Sequence, residues 1–298
     1  MKKSFWQKDG VIGYMFILPG VIGFLFFVAY PLLSSIYFSM TKWSGFDTPK
    51  FIGLKNFKYM FTMDPTFWPG LRATILYAVI SVPLGLVLGL ALAMLLNRSL
   101  PGIKIFRTLF YLPVVLPIVA TSTLWLFVYE PQFGLANNVL KAIGLHPVEW
   151  LTDSRTALMS LMVIALWGVG SNMIIFLGGL QSVPSDVYEA AEIDGASKFR
   201  AFFSVTIPLI TPTLFLQLIT GMIGAFQTFV QPSILTKDGG PDFSTMLLNF
   251  SIYKNAFQGQ DFGYAIAQVW VLFVLIILFT IIAFKSSSSF VYYENDSR

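Results

Sequence analysis

Apolar residues along this chain gather into six stretches, residues 11–40, 73–96, 108–129, 156–180, 207–232 and 263–284, separated by segments where charged residues, Pro, Gly, Trp and Asn recur. About 20 mainly apolar residues carry a helix across the hydrocarbon core of a membrane, so the pattern predicts an all-α membrane protein of six transmembrane helices in one bundle. The first stretch follows Lys2, Lys3 and Lys8, as a signal peptide would, but it is too long and lacks a small-residue cleavage site. It is read as the first span.

Finer patterns lie on this frame. In the fifth stretch Gln217, Thr220, Gly224, Gln227 and Gln231 recur at alternating three- and four-residue spacing, which puts them on one helical face and predicts a polar seam about 20 Å long. Such groups turn inward in lipid to find hydrogen-bond partners; they either line a pathway or bind helices to one another, since Gln, Thr and small residues also hold membrane bundles together. The fourth stretch carries Trp167, Ser171 and Asn172 in its centre. An aromatic ring beside amides suits an uncharged polyhydroxy ligand, and the alternative is that Trp167 is simply packed. Residues 246–257 place Met246, Leu247, Phe250, Tyr253 and Phe257 at helical spacing, predicting a helix at the membrane surface.

Between the fourth and fifth stretches the polarity inverts. Pro184 and Asp186 suit a helix N-terminus, Glu189, Ala190, Ala191, Glu192 and Asp194 continue the helix, and Gly195 can take the left-handed conformation that ends it. Ala196 and Ser197 follow, Ser197 as cap of a second helix that holds Lys198 and Arg200 and passes Pro208 and Pro212 into the fifth span. The alanines let a partner surface come close to the backbone, and the carboxylates offer charged contacts, so the segment reads as a docking element outside the lipid.

Composition narrows the function. With 56% hydrophobic and 11% charged residues the chain lacks the charge to cover a soluble globule of 298 residues. No cysteine is present, which removes disulfides, thiolate metal sites and cysteine nucleophiles. The net charge of +4 is small for a nucleic-acid binder, and no nucleic-acid role is assigned. His146 stands without a second histidine or a paired carboxylate, so no metal or catalytic residue is assigned. No Asp, Glu, Lys, Arg or His lies in the six apolar cores, which speaks against an ion-coupled carrier or channel, the alternative reading. A phosphate-binding loop of the Gly-x-x-x-x-Gly-Lys-Ser/Thr type is also missing, so a motor for driven transport must be another protein. Arg98, Lys104 and Arg107 in a short connection without acidic residues, together with the N-terminal lysines, predict cytoplasmic N and C termini and a cytoplasmic docking segment. Residues 41–72, 130–155 and 233–262 are then external.

These residues resemble the permease subunits of binding-protein-dependent ABC importers of the sugar and oligosaccharide group. That family's cytoplasmic loop reads Glu-Ala-Ala, three residues, Gly, nine residues, Ile, one residue, Leu-Pro. Here Glu189-Ala190-Ala191, Gly195, Val205, Ile207 and Pro208 keep the spacing with two conservative replacements. Weaker matches run from Leu18-Pro19 and Tyr30-Pro31 through Arg107, Pro113 and Gly178-Gly179-Leu180-Gln181 to Gly263-Tyr264-Ala265. The large extra external domain of some maltose-type members is missing, so the resemblance is to the compact six-span form.

The resemblance implies a type I importer fold, with residues 1–298 as one transmembrane permease domain and 182–208 as the coupling segment. It implies a bacterial cell membrane, a second six-span permease chain, preferably a different one in a heterodimer, two cytoplasmic ATPases that bind ATP and Mg, and an external or periplasmic substrate-binding protein. Glu189 to Ala196 and Pro208 would couple to the ATPase, and the chain itself would bind no cofactor and catalyse no reaction. Trp167, Asn172, Gln217, Thr220, Gln227 and Gln231 remain the candidates for the substrate pathway.

Overall fold

The structure is a computed structural model that describes residues 9–98 and 100–287; Lys2, Lys3 and Lys8, used above for orientation, lie outside the described residues. Among the described residues the regular structure is helical except for one ribbon of two two-residue strands, and these residues divide into two compact units, 9–63 with Ile252–Val271, and Asp64–Ser251 with 272–287.

In the first unit α1 (Asp9–Phe24), a π-helical turn (Leu25–Ala29) and α2 (Tyr30–Ser39) follow one another without a break. Strands β1 (Thr41–Lys42) and β2 (Lys50–Phe51) then pair antiparallel, with Thr41 opposite Phe51, and α3 (Lys55–Thr62) follows. The ribbon is an addition to the expected all-helical fold. Asn56 fastens it: its buried amide donates at 2.9 Å to the carbonyl of Ser39, which the end of α2 leaves open, and to that of Thr41 in β1.

The second unit is built round α4 (Phe67–Leu96), which starts six residues before the expected span because Arg72 and the residues ahead of it continue the helix. The third expected span is two helices, α5 (Ile103–Val115) and α6 (Ile118–Val128), bent by 98°. Pro117 is the cause. A residue before proline is driven to extended backbone, and Leu116 sits at φ −73°, ψ 140°. Helix α7 (Leu135–Ala142) lies in the following connection. The fourth expected span is also broken, by 44°, between α8 (Ala157–Trp167) and α9 (Gly170–Gln181) at Gly168 and Val169.

After α10 (Ser185–Ile193) and α11 (Lys198–Ala201), a π-helical turn (Phe202–Thr206) leads into α12 (Ile207–Phe226). Pro208 explains the wider turn, since its ring clashes with the carbonyl four residues back and it has no amide to donate. The chain departs from helix at 227–229 before α13 (Val230–Leu235), then forms α14 (Leu248–Tyr253) and α15 (Phe262–Ser287). Among the described residues, four helices are long and apolar enough to cross a membrane, up to six if each bent pair is one span. The expected surface helix at 246–257 is corrected in its first half: Met246, Leu247, Leu248 and Phe250 are buried, because the turn at Gly239 and Gly240 folds over Met246 and Thr245.

Leu86, Leu90, Ala93 and Leu96 of α4, Met173, Phe176, Leu177 and Leu180 of α9 and Ile210 of α12 form the core of this unit. Small residues let the backbones approach, the device that packs helices without help from water. A Cβ at Gly89 would stand 2.6 Å from Cβ of Asn172 and 3.3 Å from its carbonyl carbon. Gly89→Val is expected to destabilise the chain by about 2 kcal/mol through overpacking, seen as a lower thermal midpoint in detergent. Gly85→Ala, whose Cβ would meet Asn172 Nδ2 at an ordinary 3.4 Å, is the neutral control.

Candidate functional site

Two features of the second unit carry the candidate residues. The first is the charged segment. Pro184 caps α10 from just outside the helix, and Asp186 lies in its first turn. At the far end Gly195 takes φ +72°, its N–H donates to Glu192 O at 3.0 Å and the Ala196 N–H reaches back to Ala191 O at 2.9 Å. That pair of bonds is the Schellman closure, which satisfies the last carbonyls of the helix and reverses the chain. The Ser197 hydroxyl then accepts the Arg200 N–H at 3.3 Å and starts α11, and the Tyr188 and Thr206 hydroxyls meet at 3.1 Å. The turn is thus fixed at both ends, and α10 is tied to the helix that leads into α12.

Glu189, Ala190, Glu192, Asp194 and Gly195 are exposed, while Ala191 and Ala196 are half-buried. The structure adds two residues that the sequence reading missed. Ile193 and Phe199 are 87% and 76% exposed on either side of Gly195. Large apolar side chains inside an otherwise charged loop are the signal that could have found them. Pro208 stands in the first turn of α12, beyond the π-helical turn.

The second feature is a cavity of about 190 Å³ walled by Tyr77, Ser81 and Gly85 of α4, Gly168 and Asn172 at the break in span four, and Gln217, Gly221 and Ala225 of α12, with Thr228 just past its end. Gln217 is 6% exposed and directs Nε2 at Asn172, 3.4 Å from Oδ1 and 3.5 Å from the carbonyl oxygen. These are long, weak bonds, so both amides can regroup around a ligand. The Tyr77 hydroxyl has the Thr228 side chain as partner, and the Ser81 hydroxyl donates to the Tyr77 carbonyl. Hydroxyls and amides therefore line the cavity, which suits a neutral polyhydroxy group.

The predicted sites separate here. Asn172 and Gln217 meet at the cavity. Thr220 and Gly224 are exposed on an adjacent face of α12, because the inward face is Gln217, Gly221 and Ala225, and Gln227 is exposed just past the end of the helix. Gln231 lies beyond the break at 227–229, on α13, so the seam does not continue to it as one helix. Trp167 is 37% exposed and presents its ring edge-on to Trp125 at 5.7 Å, outside the cavity wall. Tyr77, Ser81 and Thr228 were missed. Their signal was present in the four-residue spacing of Tyr77, Ser81 and Gly85, a polar and small stripe in span two. Among the described residues there is no group of three or more His, Asp or Glu placed to hold a metal ion.

Comparison with known proteins gives a consistent picture. The family model described as "Binding-protein-dependent transport system inner membrane component" matches residues 81–290. The chain is 40% identical over 299 residues to the probable ABC transporter permease protein YesP of Bacillus subtilis (strain 168), covering 99% of this chain and 96% of that protein. It is 32% identical over 280 residues to the trehalose/maltose transport system permease protein MalF of Thermococcus litoralis, covering 93% and 94% of the two. A chain in the crystal structure of a bacterial alginate ABC transporter with its alginate pentasaccharide-bound periplasmic protein superposes with a TM-score of 0.81 at 23% identity, covering 96% of this chain and 97% of that one. That likeness bears on the fold.

Proposed function

Because the chain belongs to the family of inner membrane components of binding-protein-dependent transport systems, we propose that it is one permease chain of an ATP-driven importer for a sugar or oligosaccharide, coupled to a cytoplasmic ATPase through residues 189–208. It is a multi-pass membrane protein and a transport component, not an enzyme. One observation carries the mechanism: the exposed docking segment continues through α11 and the π-helical turn directly into α12, and α12 supplies Gln217, Gly221 and Ala225 to the polar cavity.

From Gly195 to Gln217 is 22 residues, roughly 30 Å of helix. A helix transmits displacement over that distance as a rigid body. Two breaks flank the cavity, at Gly168 and Val169 in span four and at 227–229 in span five. Closure of a paired ATPase on α10 would shift α12 against α4 and α9, bend the chain at these breaks and change access to the cavity. The work comes from the partner that binds ATP and Mg.

The substrate class rests on uncharged lining groups and on relatives such as the trehalose/maltose permease. A volume of about 190 Å³ lies below the 300–1,000 Å³ of ordinary ligand pockets, so in this conformation it admits part of a sugar and not a chain of them. Thr220, Gly224 and Gln227, exposed here, would face the second permease chain or a path shared with it. The rest of the assembly is that second six-span chain, two ATPases and an external binding protein, with both termini of this chain cytoplasmic.

The test is gentle extraction from the native membrane followed by mass spectrometry of what co-purifies. The expected result is an ATPase together with a second, related permease chain. Recovery of this chain alone, moving solute in liposomes under an ion gradient, would overturn the reading in favour of a self-sufficient carrier.

A further inference from the structure

A second and larger space lies between α4 and α8, on a side walled by neither α12 nor the polar cavity. It is a groove of about 900 Å³. On α4 its wall repeats every four residues as Arg72, Leu76, Ile80 and Leu84; on α8 and just before it the wall runs from Arg155 through Met159 and Val163 to Leu166. Both helices start at the same polar end and run the same way. Leu76, Ile80, Leu84, Met159 and Val163 are all exposed, so the groove is apolar and open along its length.

The polar residues are confined to one end. Arg72, Arg155, Asp242 and Ser244 form the rim, with the exposed ring of Trp68 beside them. A tryptophan next to cationic residues at the end of an apolar wall is the arrangement found at a membrane–water interface. From Arg72 to Leu84 is 12 residues, about 18 Å of helix, close to the ~15 Å depth of one leaflet's hydrocarbon. The groove then stops, although α4 itself runs on to Leu96.

We propose that this groove is a binding site for a single zwitterionic phospholipid, its acyl chains along Leu76, Ile80, Leu84 and Val163 and its phosphate on Arg72. Guanidinium groups bind phosphate through paired, charge-assisted hydrogen bonds. The rim sets the type of head group. Arg155 is already paired with Asp153 at 3.4 Å, and Asp242 stands exposed on the rim, so two guanidiniums are matched by two carboxylates and a net anion gains nothing. A head group with a phosphate and an ammonium, as in phosphatidylethanolamine, complements Arg72 and Asp242 together.

The experiment places the purified transporter in nanodiscs of phosphatidylethanolamine and phosphatidylglycerol in equal parts, transfers it to mild detergent and counts retained lipids by native mass spectrometry. One phosphatidylethanolamine per copy of this chain is expected. Retention should fall about tenfold in Arg72→Glu, the loss of a hydrogen bond to a charged group. Val163→Trp, which fills the groove from its open side and leaves the rim untouched, should lower retention as far and decides the matter if the arginine variant fails to fold. Preferential retention of phosphatidylglycerol, unchanged retention in Val163→Trp, or a cross-link from Val163→Cys to another protein chain in native membranes would each overturn the proposal.

Discussion

Gly195→Val is expected to abolish ATP-coupled uptake while leaving the chain in the membrane. Gly195 sits at φ +72°, where an L-residue costs roughly 1–2 kcal/mol and a β-branched one more. Beyond its two chain neighbours no residue lies within 4 Å of the position a Cβ would take, so the variant strains only its own backbone and the bundle is undisturbed. The damage falls on docking. The bonds from Gly195 to Glu192 and from Ala196 to Ala191 define the angle at which α10 and α11 meet, and a change there displaces Ile193 and Phe199 together with Glu189 and Glu192.

If those side chains anchor the ATPase contact, about 3 kcal/mol of docking energy and about a hundredfold in uptake should be lost. Asparagine tolerates the left-handed region, so Gly195→Asn should retain much more activity than valine. Glu189→Lys should fail like valine, by charge and not by backbone. The measurement is uptake of labelled sugar by vesicles, together with recovery of the ATPase on the purified chain. Normal uptake in both Gly195→Val and Glu189→Lys would remove the segment from the mechanism.

The second large effect is expected at the cavity. Gln217→Leu keeps the size of the side chain and removes the amide that faces Asn172. Hydrogen bonds between membrane helices are worth only about 1 kcal/mol, so the bundle should assemble and its thermal midpoint should move by a few degrees. Uptake should fall by one to two orders of magnitude, as expected when one or two hydrogen bonds to a substrate hydroxyl, ~1.5 kcal/mol each, disappear from its path. A packing role predicts the reverse, a small loss of stability with uptake intact. Asn172→Leu and the double variant complete the comparison: if the two amides act on one substrate group, the double variant should be little worse than either single one. Thr220→Val, on the exposed face of α12, separates the cavity from the seam; if it matters as much as Gln217, the pathway follows the seam and includes the partner chain's surface.

The turn in the charged segment was legible because its structure is local. Every bond that shapes it joins residues between 184 and 208, and the left-handed glycine, the serine cap and the proline after the π-helical turn each act on neighbours a few positions away. Hydropathy located the apolar stretches equally well, since length and composition alone decide whether a helix suits a bilayer. The 98° bend at Leu116 and Pro117 was within reach of the same rules, because a proline restricts the residue before it.

The cavity was not legible in that way. Spacing put Gln217, Thr220, Gly224, Gln227 and Gln231 on one face, but which face of α12 turns inward is decided by Gly221 coming against Val82, a Cβ there lying 3.0 Å from the valine methyl. That contact selects Gln217, Gly221 and Ala225 and leaves Thr220 and Gln227 exposed. Tyr77, Ser81 and Asn172 reach the same space because Gly89 lets α4 and α9 approach. The sequence by itself thus determined the membrane class through composition and the turn at Gly195 through bonds between near neighbours, while the family resemblance rested on the loop pattern from Glu189 to Pro208. The tertiary structure alone decided which polar residues meet and where the lipid-length groove opens, because both depend on contacts between helices far apart in the chain, which no periodicity within one helix specifies.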